Sequence, residues 1–251
     1  MKELTGQEKG DIAFWLHEPY ICPWPQKRKE VLELVLPRAE EGDADCCRYM
    51  GQVCINNYRI GEGGGEEARQ WLRKAVEAGS DALFELASIL EDPDEREQCY
   101  LRYIETFDDK MMAYYHIKGR DDLLEWLANR VRTNSSYTLD GKPDQTVAVR
   151  LWQRVIDSGN NSAQAHMYLG EAYLDGLGVE PDPQKAFYHI KYAYEHCGSA
   201  TTTNSIWEEV PELYARCLRL GIGTDPNGKT AGDVMQQFRE DWDYLDDVLS
   251  R

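Results

Sequence analysis

The sequence predicts an all-α fold of stacked helix pairs, and three observations carry that prediction. A block of small and bulky residues recurs: residues 68–79 read ARQWLRKAVEAG and residues 148–159 read AVRLWQRVIDSG, each with an alanine and a glycine eleven positions apart. The copies begin at 31, 68, 148, 186 and 231, so gaps of 37, 38 and 45 residues accompany one of 80 that has room for a degenerate copy around EREQCYLRYIE (95–105). Self-similarity at this period marks units too small to bury a hydrophobic face alone. Within the blocks, apolar residues return at helical spacing. Hydrophobic residues make up 42% of the 251, enough for a core and too many for disorder.

Taken in order, GDIAFWLHEP (10–19) reads as a capping helix, and PYICPWP (19–25) as an irregular turn because it carries three prolines. VLELVLPRAEEG (31–42) is the first copy, with Val31 in the alanine slot. GEGGG (61–65) is expected to be a flexible loop between repeat helices. In AQAHMYLGEAYLDGLGV (163–179), Ala163, Leu169, Gly170 and Tyr173 share one helical face. Gly176 and Gly178 then break the helix, and Pro181 with Pro183 delays the next one. KAFYHIKYAYEHCG follows, with its closing Gly198 one residue late. The last block, TAGDVMQQF, starts its count at Ala231 and leads into REDWDYLDDVLSR (239–251), an amphipathic cap with Trp242, Leu245 and Val248 on one face. The division expected is a capping segment over 1–30, repeats over 31–238 and a capping helix over 239–251. Small residues let paired helices approach, Trp71 and Trp152 are expected to fill the space between repeats, and the closing glycines permit the left-handed turn that ends a helix.

Residues 163–198 resemble the Sel1-like repeat through Ala163, Ala165, Leu169, Gly170, Tyr173, Gly176, Gly178, Val179, Asp182, Lys185 and Ala186. The copy at 44–79 keeps Ala44, Gly51, Ala68, Trp71, Ala75 and Gly79 but has Cys54 at the tyrosine slot; the copy at 213–235 keeps Gly221, Gly223 and Ala231. The resemblance implies a right-handed α-solenoid of helix-turn-helix, tetratricopeptide-like repeats with capping helices. It also implies a non-catalytic adaptor whose first helices line a concave surface. Counted from the leucine of the Leu-Gly pair or its equivalent, the positions so implied include Asp45, Arg48, Phe84, Glu91, Asp92, Glu125, Met167, Glu171, Asp175, Glu209 and Glu212. Phe84 and Met167 would be hydrophobic anchors and the carboxylates the electrostatic bait.

Charge narrows the partner. Asp and Glu number 45 against 28 Lys and Arg, a formal net charge of −17. Such a surface repels nucleic-acid backbones and anionic membranes and attracts a basic protein or peptide. A sharper form is an immunity protein that neutralises a toxin or effector, a role in which Sel1-like proteins are found. The N-terminus has no apolar run of signal-peptide length, and the seven cysteines form no disulfide framework. The expectation is a cytoplasmic protein with reduced thiols.

Candidate chemistry is thin. GTDPNGKT (Gly223–Thr230) matches the phosphate-loop pattern, which would make the chain a nucleotide binder. That chemistry needs a buried strand before the loop, and LYARCLRLGI before it has helical spacing. Pro226 lacks a donor and Asp225 would oppose a phosphate; the repeat register explains the same glycines. His189 and His196 are two helical turns apart, about 10 Å along the axis and too far to share a metal. The adjacent Cys46 and Cys47 point to different helix faces, and no Ser, His and Asp set forms a known motif. No metal, cofactor or catalytic residue is therefore expected.

Overall fold

The computed structural model describes residues 4–17, 24–136, 138–160, 162–197 and 206–249. Among them are thirteen α-helices and one short 3-10 turn, with no strand. The fold of the described residues is all-α, and consecutive helices pack as pairs, as α3 with α4 and α10 with α11. The chain forms two compact units, residues 1–118 with 130–144 and residues 119–129 with 145–251.

The first unit holds α1 (Gly6–His17), α2 (Trp24–Glu40), α3 (Ala44–Arg59), α4 (Gly65–Glu77), α5 (Leu83–Ile89), α6 (Pro93–Glu105) and α7 (Asp109–Tyr114). Its helices start where side-chain oxygens can cap them. Thr5 and Glu8 form a reciprocal box at α1, with Thr5 N donating to the Glu8 carboxylate at 2.8 Å and Glu8 N to Thr5 Oγ1 at 3.2 Å. Asp43 accepts from Cys46 N at 2.8 Å to begin α3. Pro25, expected in the irregular turn, lies in the first turn of α2, while 19–23 fall outside the described residues. The α3–α4 hairpin closes at Gly51, where a Cβ would lie 2.5 Å from Leu72 Cγ. Its GEGGG connection is a tight turn rather than a loose one: Gly61, Gly63 and Gly64 all adopt positive φ, and a Cβ on Gly64 would meet the Cys54 carbonyl oxygen at 2.8 Å.

The stretch of 80 residues between copies contains a further helix pair. α5 and α6 form one pair, and α7, the 3-10 turn Arg120–Asp122 and α8 (Leu123–Thr133) follow before the next clear repeat. Edge-to-face contacts join Phe84 to Tyr100 and Tyr103, and Tyr103 to Phe107, at 5.0–5.4 Å. Segment 130–144 is tied down by the Arg59 guanidinium, which donates to the carbonyls of Ser135, Ser136 and Thr138 at 2.9, 2.8 and 2.7 Å. Arg96 and Asp144 add a largely buried ion pair at 2.7 Å.

The second unit holds α9 (Gln145–Asp157), α10 (Ala163–Asp175), α11 (Pro183–His196), α12 (Ile206–Arg219) and α13 (Ala231–Leu249). Ser162 caps α10 and Asp182 caps α11, where Pro183 begins the helix instead of delaying it. The α10–α11 crossing is tighter than its counterpart: a Cβ on Gly170 would lie 2.4 Å from Ile190 Cγ1 and 3.0 Å from the Ile190 backbone nitrogen. Gly178 and Gly223, at matching places in their loops, adopt φ of 72° and 78° and press against the preceding pair. A Cβ would lie 2.3 Å from Gln145 C at the first and 2.5 Å from the Phe187 ring at the second. Trp152 is buried against Tyr168, as expected of a spacer between repeats, whereas Trp71 is half-exposed with the Lys74 ammonium 4.4 Å over its ring. α13 runs unbroken through the 238/239 boundary as α2 runs through 30/31; Gly198 lies outside the described residues.

Candidate functional site

The candidate positions lie on or just after the first helix of each pair, and three of them bond to a neighbouring first helix. In the first unit Lys9 on α1 reaches Asp45 on α3 at 2.5 Å. Arg48 on α3 reaches Glu85 on α5, with Nε 2.6 Å from Oε1. Glu85 is only 1% exposed; burial pushes its carboxyl up, Arg48 opposes that shift, and Gln52 donates to it at 3.3 Å. Asn56 donates to the Leu16 carbonyl at 3.0 Å, tying α3 to α1 at its other end. In the second unit Arg216 on α12 grips Asp175 on α10 through two hydrogen bonds of 2.9 and 2.5 Å, which raises the guanidinium pKa further. Glu125 accepts from Ser162 Oγ at 2.7 Å and from Asn160 at 3.4 Å, bracing the α10 cap. Asp45, Arg48, Glu125 and Asp175 thus serve as clamps between successive helices.

Phe84 and Met167 are not exposed anchors. Phe84 is 3% exposed, enclosed by Tyr100 and Tyr103 with the Arg130 guanidinium 4.9 Å from its ring, and Met167 is 1% exposed. Phe84 thus faces the second helix of its own pair, and Met167 belongs to the core. Asp92 is exposed but caps α6, accepting from Asp94 N at 3.0 Å. Glu91 is exposed and meets Arg69 at 2.9 Å, and Glu171 is half-buried. Glu209 and Glu212 are exposed, Glu209 in the first turn of α12 where the helix dipole favours a negative charge. The structure therefore distributes the predicted residues among clamps, core, a cap and an exposed acidic set.

The phosphate-loop look-alike is filled by its own side chain. Asp225 accepts from the amides of Asn227 and Lys229 at 2.7 and 3.3 Å and from the Tyr214 hydroxyl at 2.8 Å. These bonds hold its carboxyl below the usual range despite partial desolvation. A helix, α12, stands where a strand would be needed. Among the described residues no three His, Cys, Asp or Glu side chains are grouped to hold a metal. Five cysteines are buried, Cys197 is partly so, and all six are free thiols; Cys22 lies outside the described residues. Burial with the Asp43 hydrogen bond pushes Cys46 up to about 12, and burial pushes Cys54 and Cys217 up to about 11, which makes them poor nucleophiles.

One arrangement escaped the sequence reading. His189 pairs with His166, not with His196: the two Nδ1 atoms are 3.0 Å apart between α10 and α11. The rings are 2% and 7% exposed for His166 and His189. His166 stacks on Tyr192 at 3.8 Å, and Tyr192 on His196 at 4.0 Å.

The Sel1 repeat family matches residues 44–80 and 163–196, the two hairpins that close on Gly51 and Gly170. The chain carries two Sel1 repeats. Sel1 repeats mediate protein–protein interaction and are typically non-catalytic scaffolds. Among solved structures, a Sel1 repeat protein from Oxalobacter formigenes is 16% identical, covering 91% of this chain and 96% of its own, with a TM-score of 0.36. A protective antigen of uropathogenic Escherichia coli with an SLR fold is 17% identical over 80% of this chain and 49% of its own, with a TM-score of 0.26. No curated protein matches. Among the described residues, no helix is long and apolar enough to cross a membrane.

Proposed function

We propose that this Sel1-repeat protein is a non-catalytic adaptor that holds a basic protein or peptide through exposed carboxylates on its repeat helices. The observation that supports this most is the division of its acidic side chains. Asp45 and Asp175 are occupied by Lys9 and Arg216, while Glu209 and Glu212 stand exposed on α12 in a chain of net charge −17. Long-range attraction of that kind steers encounter more than it strengthens the final contact. The role calls for no cofactor, and inert buried thiols suit a reducing compartment such as the cytoplasm.

The test is affinity capture from the native cell, followed by surface plasmon resonance on the captured partner at several ionic strengths. Added salt is expected to slow association more than it speeds release. Association indifferent to salt and to charge reversal at Glu209 and Glu212 would overturn electrostatic recruitment by this surface.

A further inference from the structure

We propose that the His166–His189 pair makes the 163–196 hairpin an acid-released latch, closed while one Nδ1–H···Nδ1 bond joins the two imidazoles and opened when acid turns both rings into cations. At 3.0 Å between Nδ1 atoms, one nitrogen must carry hydrogen and the other must offer a lone pair. One added proton can sit on the Nε2 of the donor ring and leave the Nδ1–H···Nδ1 bond in place, but the next sets two N–H groups and two cations face to face at a buried contact.

The surroundings offer that second charge little relief. Tyr173 stacks on His189 at 5.9 Å and Tyr188 meets it edge-on at 5.1 Å. The charges that act on the pair are Lys185 and His196, both on α11 and both positive when ionised. On α10, Glu171 and Asp175 act on Arg216 of α12. α9 turns Leu151, Trp152 and Val155 into the core, while its Arg154 and Asp157 are exposed. Burial foremost, with cationic neighbours, holds both imidazoles down to about 4.

The direction of the effect follows from linkage. In an opened hairpin the imidazoles return to an ordinary pKa of about 6.5, so the open form binds up to two more protons than the closed form between that pH and about 4. Closure is complete in its histidine contribution above the upper limit, weakens as pH falls through the window, and loses no more below it. The open-to-closed ratio should rise by as much as ~100-fold per pH unit when two protons are taken up. Opening would uncover Met167, Leu169 and Ile190, apolar surface hidden at neutral pH. The other Sel1 repeat, residues 44–80, has no histidine and serves as an internal control.

The experiment is hydrogen exchange of the full chain from pH 7 to 4.5, read as protection factors so that the intrinsic pH dependence divides out. Protection of α10 and α11 should fall with acid far more steeply than that of α3 and α4. Imidazole nitrogen NMR of the same protein should show both rings neutral at pH 5.5, one of them as the Nδ1–H tautomer. His189→Gln, which can still pair with His166, should remove about one proton from the dependence, reducing the slope toward ~10-fold per unit. Should that variant not fold, the measurements on the parent decide the matter. Either imidazole titrating near 6.5 in the folded chain, or the two repeats losing protection in parallel, overturns the latch.

Discussion

At residues 44–80 the hairpin closes on Gly51 against Leu72, and at 163–196 it closes on Gly170 against Ile190; behind those crossings the two repeats share little. The first fills its interior with Cys46, Cys47, Cys54 and Val53 and reaches sideways through Arg48 to a buried carboxylate. The second is packed with Met167, Tyr168 and Leu169, holds a histidine pair, and reaches sideways through Asp175 to an exposed arginine. What the repeat prescribes is the close approach of two helices. The filling and the lateral charge are free to differ, and they set how each repeat responds to mutation and to acid.

Leucine substitution at the two crossing glycines should have the largest effect. In Gly170→Leu the obstacle includes the Ile190 backbone nitrogen at 3.0 Å, which cannot turn aside. In Gly51→Leu the nearest atoms are Leu72 side-chain carbons, which can turn. Overpacking costs roughly 1–3 kcal/mol and sometimes more; Gly170→Leu should reach or pass the upper end and Gly51→Leu should remain within the range. Thermal and urea melts of both variants decide it, and equal losses would break the comparison.

Lateral charge should produce the next largest difference. Arg48→Ala strands a carboxylate that is 1% exposed, so its loss should approach the ~3–5 kcal/mol of a broken buried pair, at the lower end because Arg48 is itself part-exposed. Arg216→Ala breaks a more exposed bridge and should cost only ~0–1 kcal/mol. Denaturant midpoints that reverse this order would contradict the assignment of the two clamps. The smallest effect belongs to Lys229→Ala, expected within about 0.5 kcal/mol of the parent. Calorimetry with ATP or GTP should show no binding that depends on Lys229, and micromolar binding abolished by the variant would reinstate the phosphate-loop reading.

The helix pairs were legible because close crossings admit so few residues. Gly170, Gly178 and Gly223 each stand where a Cβ would strike a neighbour, and that constraint is what the recurring small residues record. The candidate surface was less legible. Counting positions along a first helix placed Phe84 and Met167 outward, but sequence spacing does not distinguish a face turned to solvent from one packed against another helix. The same limit made Asp45 and Asp175 look like bait when Lys9 and Arg216 hold them. Arg59 could not be read either, because its acceptors are backbone carbonyls of Ser135, Ser136 and Thr138, which any sequence supplies. The histidine pair did leave a signal. His166 lies one turn before Gly170 and His189 beside Ile190, so the crossing itself brings them together once it is recognised.

The central claim is that the acidic side chains divide into clamps and an exposed set, and one paired measurement tests it: association rate with the captured partner and melting temperature, on the same charge-reversal variants. Glu209→Lys with Glu212→Lys should lower the association rate several-fold at low salt while the melting temperature stays nearly constant. Asp175→Lys, which sets two cations together at Arg216, should instead lower the melting temperature by a few degrees, about 1 kcal/mol for a domain of this size, with a smaller effect on association. If Asp175→Lys slows association as much as the Glu209 and Glu212 reversals and leaves the melting temperature unchanged, Asp175 is bait after all and the division drawn here is wrong.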